Sequence, residues 1–279
     1  MALLVLLTSP LTGSAAWGRL PDALRTRGAD VTVVEAVGDD EPPYALRWVA
    51  SCALQVRAER PGPVVLVGHS GAGLLLAQLG FALRAAHRAV AAYAFVDAGV
   101  PRAGSRLDVL DTEDANAAAE LRAHLATGGR FPTWSADDLV ADVPAATDRE
   151  ELVHGLRPRD LAYWSEPLPP PVDWPEAPCV YLRTSAGYDA TLRVATARGW
   201  AVDSLDLGHF PGLRDPDATA SALITLLTPT VPGLLTRESR SSPRGSVTVG
   251  PGCSRYDGRL SPPRGGRRPD TPSALEFDE

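Results

Sequence analysis

No lysine occurs among the 279 residues; all 27 basic side chains are arginine, set against 34 Asp and Glu for a net charge of −7. Isoleucine and asparagine appear once each, as Ile224 and Asn116. That bias favours GC-rich codons and points to a bacterial source. Without lysine there is no phosphate-cradling loop ending in Gly-Lys-Ser/Thr, and no Gly-x-Gly-x-x-Gly follows the first apolar run, which excludes those two nucleotide-binding motifs. The acidic balance argues against nucleic acid as a partner, because phosphate backbones require concentrated positive charge. Cysteine is scarce. Cys52, Cys179 and Cys253 form neither CxxC nor CxxH spacing, which excludes a zinc or disulfide framework and fits a reducing cytoplasm. No stretch approaches the roughly 20 apolar residues of a membrane helix, so no membrane partner is expected. The opening MALLVLL lacks a basic flank and is short for a signal-peptide core, so it reads as a buried strand of a cytoplasmic protein.

What is present is alternation. Residues 2–7, 30–35, 64–67, 91–96, 179–184 and 201–207 are short apolar runs, and helical patterns occupy 17–27, 44–59, 71–86, 189–198 and 216–227. Near-continuous apolar strands separated by helices predict an α/β fold: a mostly parallel, doubly wound sheet of about six strands, covered on both faces. Residues 104–176 break the pattern. They are helical and acidic, show no strand pattern, and close on the stiff connector PLPPPVDWPEAP. The expected organisation is a core from 1–103 and 177–228, a helical lid over 104–176, and a disordered tail without catalytic function over 229–279, where Pro, Gly, Ser and Arg dominate.

The most informative stretch is VVLVGHSGAGLLLAQL, residues 64–79. A buried strand runs into Gly-His-Ser-Gly-Ala-Gly and then directly into a helix, the setting of a nucleophile elbow. Small neighbours let Ser70 occupy the apex of a sharp turn, and the helix that follows directs N–H groups toward an oxyanion formed there. Over residues 1–228 the chain resembles the α/β-hydrolase family, with Ala72 in place of the last glycine of G-x-S-x-G. The resemblance implies that Ser70 is the nucleophile and that no cofactor or metal is needed.

A serine hydroxyl requires a base. His69 adjoins Ser70 and points away from it in an elbow, while His87, His124 and His154 lie in helical patterns. His209 follows the last strand in the turn GHFPGL, where the family's general base sits, and the order Ser70 before His209 agrees. Two residues compete for the third position. Asp189 follows the strand before the histidine strand, as in most of the family. Asp97 ends an earlier strand, as in some members, and its strand-end position is better defined. Asp206 is too near His209 in sequence to orient it easily.

The resemblance also implies an oxyanion hole made by the N–H of Gly71 and a second N–H from the loop after the first strand. That loop reads Thr8-Ser9-Pro10 where the family typically has His-Gly-x. Proline carries no N–H, so Ser9 or Leu11 must donate. In the lid, Trp134, Tyr163, Trp164 and Trp174 are candidates for the walls of an apolar substrate pocket; the alternative is that they form the lid's own core. The expected function is a cofactor-independent serine hydrolase acting on an ester or thioester of a small to medium, largely apolar acyl compound. The alternative is a non-hydrolytic use of the fold, as a lyase, a cyclase of secondary metabolism or a ligand-binding module.

Overall fold

A computed structural model describes residues 1–235. Strands β1 (Leu3–Leu7), β2 (Asp30–Val34), β3 (Val64–Ser70) and β4 (Val90–Ala98) alternate with helices α1 (Leu20–Thr26), α2 (Tyr44–Ala58) and α3 (Leu76–Ala85). Next come the two-residue strand β5 (Gly104–Ser105), helices α4 (Arg106–Glu113), α5 (Ala115–Ala126), α6 (Ala146–His154) and α7 (Leu161–Ser165), and the short strand β6 (Pro167–Leu168). The main alternation resumes with β7 (Cys179–Arg183), α8 (Asp189–Ala197), β8 (Ala201–Ser204), α9 (Pro211–Arg214) and α10 (Pro216–Leu227).

Six strands form one sheet in the order β2-β1-β3-β4-β7-β8, and every pairing in it is parallel. This is the doubly wound α/β architecture expected from the apolar runs. The central strands β1, β3, β4 and β7 are apolar on both faces because both faces are covered. Leu3, Val5, Leu7, Val64, Leu66, Tyr93, Phe95 and Tyr181 pack with Trp48 and Cys52 of α2 and Leu79 and Leu83 of α3. The alternate residues Leu4, Leu6, Val65, Val67, Ala94, Val96, Val180 and Leu182 pack with Leu20 and Leu24 of α1 and Leu223 and Leu227 of α10. The chain winds first to β2 on one side of β1, then to β3 on the other. The crevice between β1 and β3 at the carboxyl edge is therefore a topological switch point, where open α/β sheets bind their ligands.

Several expected boundaries shift for local reasons. The helix anticipated over 17–27 is broken into a 3₁₀ turn at Ser14–Trp17 and α1. Gly18 lies between them at φ 48°, and a side chain there would come within 2.6 Å of Leu213 Cδ2 and 2.7 Å of the Gly212 carbonyl. The helix anticipated at 71 begins as a 3₁₀ turn, Gly71–Leu75. The 104–176 segment is not wholly strandless: Gly104 and Ser105 pair antiparallel with Leu168 and Pro167, tying its two ends together. The last sheet strand is shorter than expected, ending at Ser204 rather than 207.

The proposed core end at 228 is also too early. Val231 and Leu234 are buried against the α1–α10 face, and Leu235 bridges to Ala29. The remainder of the expected tail, 236–279, lies outside the described residues. Among the described residues, no helix is long and apolar enough to cross a membrane.

Helices α4 to α7 pack over the carboxyl-edge loops through two clusters. One joins Leu107, Leu121, Leu125, Tyr163 and Trp164 to Tyr44 of α2. The other joins Leu139, Val143 and Leu152 to Ala16, Phe210 and Leu213. The second cluster brings this segment to Phe210, next in sequence to His209.

Candidate active site

Ser70 closes β3 with φ 54° and ψ −128°, a conformation that costs a non-glycine residue about 1–3 kcal/mol and persists only where the surroundings enforce it. The enforcement is visible in the glycines around it. A Cβ on Gly73 would lie 2.1 Å from the Gly99 carbonyl oxygen, and one on Gly68 would lie 3.1 Å from Gly73 N. Gly73, rather than the fifth residue of the motif, is thus where side-chain absence is indispensable. Ala72 is fully buried in the core, so its methyl group replaces the usual glycine at a packed position.

Asp97 sits near the end of the neighbouring strand β4, itself at φ 43°. Its carboxyl group is completely buried and saturated by four donors. Oδ1 accepts from the backbone N–H of Thr184 and of Ser185, both at 2.8 Å. Oδ2 accepts from the Ser185 hydroxyl at 2.5 Å and from His209 Nδ1 at 2.8 Å. An oxygen that only accepts fixes the tautomer opposite it: the proton of His209 is on Nδ1, and Nε2 is left as a base. Asp189 lies elsewhere in the network. It opens α8, and its Oδ1 accepts from Arg183 Nε at 2.8 Å; the cap position before that helix belongs to Tyr188. Asp206 pairs with the other arm of the same guanidinium, at 2.5 Å.

The loop carrying His209 is anchored on two sides. The N–H groups of Leu207 and Gly208 donate to the Thr184 carbonyl at 3.1 and 3.0 Å. His69 Nε2 donates to the His209 carbonyl at 2.7 Å. Its ring is wedged between Trp17 and His209, with centroids 5.6 and 4.7 Å away. Burial lowers the His69 pKa to about 3, with the nearby His209 adding to the effect. His69 is therefore a neutral donor that buttresses the His209 loop; the elbow argument accounts for its turning away from Ser70 but not for this contact.

Tyr188 had no sequence signal beyond its place in SAGYD. It ends the 3₁₀ turn Ala186–Tyr188. Burial, with the Asp97 carboxylate nearby, pushes its phenol well above the ordinary tyrosine range. The ring lies parallel to that of His209, 5.4 Å between centroids and 5° between planes.

On the opposite side of Gly71 is the loop after β1. A side-chain carbon on Gly71 would lie 3.3 Å from Ser9 Oγ and 3.7 Å from Pro10 Cδ, so both residues flank the first N–H of the elbow. The Leu11 N–H is turned onto Ser9 Oγ at 3.3 Å. Arg159, buried and paired with Asp39 at 3.0 Å, donates through Nε and Nη2 to the Pro10 carbonyl at 3.3 and 3.2 Å and holds this loop in place.

The aromatic residues of 104–176 divide. Tyr163 is 1% exposed, with the Arg106 guanidinium 3.9 Å above its ring, and it shares a packed cluster with Trp164. These two form the core of the helical segment rather than an open wall. Trp134 instead meets Phe210 edge-on at 6.0 Å, one ring away from His209. Trp174 meets Tyr93 and Trp200 edge-on at the other side of β4, outside this site.

A strand-turn-helix serine beside a buried Asp–His pair, all at the carboxyl edge of a parallel sheet, agrees with the match of residues 4–222 to the model of the alpha/beta hydrolase family. The chain belongs to the alpha/beta hydrolase family. No curated protein matches its sequence. Among solved structures, this hydrolase-family chain is similar to an extracellular alpha/beta-hydrolase from a Paenibacillus species, described as sharing homology with tobacco salicylic acid binding protein 2. The identity is 15% and the TM-score 0.65, covering 81% of this chain and 99% of that one. It is also similar to tomato methylketone synthase I, a variant complexed with β-ketoheptanoate, at 15% identity and TM-score 0.57 over 82% of this chain and 98% of that one. A third is a pyrethroid hydrolase from Sphingobium faniae, at 17% identity and TM-score 0.55 over 80% and 96%. At these identities the likeness speaks for the fold.

Proposed function

We propose that this protein is a cofactor-independent serine hydrolase that cleaves an ester or thioester of a small to medium, largely apolar acyl compound. Ser70 Oγ attacks the carbonyl carbon while its proton passes to His209 Nε2. The Nδ1–H of His209 stays on Asp97, which orients the ring and stabilises its charged form. His209 then returns the proton to the leaving group, and a water molecule, deprotonated in turn by His209, releases the acyl-enzyme. Gly71 N–H together with Ser9 holds the oxyanion, and residues 104–176 act as the lid, with Trp134 as the lid aromatic that reaches Phe210 beside His209.

The observation that carries this reading is the 2.8 Å contact between His209 Nδ1 and the fully buried, four-donor carboxyl of Asp97. A histidine that only capped α9 would have no use for a buried acid. One feature favours a second reading, in which the fold serves as a lyase, cyclase or binding module: Pro10 removes a backbone donor beside Gly71.

The test is incubation with a fluorophosphonate probe and with p-nitrophenyl esters of several chain lengths, beside Ser70→Ala. Covalent labelling and turnover that disappear in the variant support acyl-enzyme chemistry. Absent labelling, with turnover no different from Ser70→Ala, moves the assignment to the second reading.

A further inference from the structure

The dipeptide Thr184-Ser185 stands between the acid and the base of the proposed mechanism. It follows β7, which lies in the sheet between β4, the strand of Asp97, and β8, the strand before the His209 turn. The Thr184 N–H donates to Asp97 Oδ1 at 2.8 Å. The Thr184 carbonyl accepts the Leu207 and Gly208 N–H groups of the His209 turn, at 3.1 and 3.0 Å. Ser185 binds both oxygens of the same carboxyl group: its N–H donates to Oδ1 at 2.8 Å and its hydroxyl to Oδ2 at 2.5 Å. Given the hydrolase reading, on which this inference rests, we propose that Ser185 is a positioning residue, whose hydroxyl fixes the plane of the Asp97 carboxylate so that Oδ2 faces His209 Nδ1.

The need for such a contact follows from the side chain itself. The torsion that turns an aspartate carboxylate has broad minima, so hydrogen bonds set its plane more than torsional preference does. Two N–H donors hold Oδ1, but His209 is bound to the other oxygen, Oδ2. The Ser185 hydroxyl holds that end. It also completes the acceptor sites of a carboxylate that is fully buried: an ionised carboxyl group offers about four, and two donors on each oxygen fill them.

The orientation is passed on through His209. Tyr188 lies parallel to the imidazole at 5.4 Å between centroids, and His69 lies tilted at 4.7 Å. These rings confine the faces of the base. Its rotation within its own plane is governed by the bond from Nδ1 to Asp97, and that rotation decides where Nε2 points. Ser185 gives up no proton in the cycle; the protons that move are those of Ser70 and water, by way of His209 Nε2.

Ser185→Ala deletes the hydroxyl and keeps the N–H on Oδ1. A hydrogen bond to a charged group is worth a factor of about 10–100. With p-nitrophenyl butyrate, kcat is expected to fall by about 10–100-fold with KM little changed, and fluorophosphonate labelling of Ser70 should slow by a similar factor. Ser185→Thr, which retains the hydroxyl, should recover most of the loss. Ser185→Cys, nearly the same shape with a weak S–H donor, should behave like Ser185→Ala and replaces it in the comparison if alanine lowers the melting temperature. The separating measurement is made in Asp97→Asn. A hydroxyl that acts through the Asp97 carboxylate should cost almost nothing more when Ser185→Ala is added there, whereas a residue acting through general packing would exact its full factor again.

Three results would each overturn the inference while the hydrolase reading stands, wild type still being labelled at Ser70. These are turnover of Ser185→Ala within about twofold of wild type, a folded Ser185→Thr as slow as Ser185→Ala, and a full additional loss in the double variant. If wild type itself shows no Ser70-dependent labelling, both fall.

Discussion

His209 Nδ1 and Asp97 Oδ2 meet at 2.8 Å across 112 residues of chain, whereas Asp189, which follows the strand next to that of His209, is bound instead to Arg183. The two acids therefore respond differently to removal of charge. Asp97→Asn presents an amide N–H or a weaker acceptor to Nδ1, freeing the wrong tautomer, and turnover of a p-nitrophenyl ester should fall by about 10⁴. Asp189 is half exposed, and its pair with Arg183 lies at the surface end of the network. Asp189→Asn should cost at most about 1 kcal/mol of stability and leave turnover within a fewfold of wild type. Steady-state kinetics on the two variants side by side separate these expectations; equal, mild losses would remove Asp97 from the mechanism.

Buried His69 gives a pH prediction whose sign is fixed by its environment. Its folded pKa is lowered to about 3, chiefly by burial, while in the unfolded chain it titrates near the ordinary value of about 6.5. Between those values the unfolded chain binds a proton that the folded protein refuses. The stability His69 contributes is thus complete above about pH 6.5 and declines as pH falls, with a slope of up to about 1.4 kcal/mol per unit. Urea unfolding at pH 7, 6, 5 and 4 should show a steeper acid loss in wild type than in His69→Gln, which can still donate to the His209 carbonyl but cannot take up a proton. Parallel curves for the two proteins would contradict the assignment.

The buried pair of Arg159 and Asp39 connects stability to the loop after β1. The side chains are 6% and 4% exposed, and the same guanidinium holds the Pro10 carbonyl. Arg159→Met leaves Asp39 in the interior with only a 3.5 Å approach from Arg157 and should destabilise the fold by about 3–5 kcal/mol. The effect is measurable as a melting temperature lowered by about 2–4 °C for each of those kcal/mol. Asp39→Asn, which keeps a polar partner, should cost less.

Much of this architecture was legible because the signals were local. Residues 2–7 and 64–67 read as doubly covered strands since both of their faces are apolar, and GHSGAG between a strand and a helix marked the sharp turn that Ser70 occupies. The choice between Asp97 and Asp189 was not legible, because each ends or follows a strand and only the third dimension determines which one faces the turn of His209. Tyr188 and His69 escaped for a related reason. Their roles rest on what other loops bring against them, a parallel ring at 5.4 Å and a carbonyl at 2.7 Å. The segment end at 228 was misjudged because Val231 and Leu234 are isolated apolar residues amid Pro, Gly and Thr, and their burial depends on a gap beside α1 and α10 that composition does not reveal.

The loop of Ser9 and Pro10 offers a test by gain rather than loss. Pro10 Cδ occupies the direction in which an amide hydrogen would point, and it lies 3.7 Å from where a Gly71 side chain would begin. The Leu11 N–H is turned onto Ser9 Oγ, so it is not aimed at the space beside Gly71. Pro10→Ala restores an N–H at that spot while the Arg159 bonds to the Pro10 carbonyl, which need no proline ring, stay available. Since one donor to a developing oxyanion is worth about 10²–10³ in turnover, Pro10→Ala should hydrolyse p-nitrophenyl butyrate faster than wild type, with kcat rising more than KM falls. The complementary Ser9→Ala should be slower, having lost the hydroxyl that flanks Gly71. A Pro10→Ala protein that melts normally but turns over no faster would mean that the oxyanion does not form on that side of Ser70.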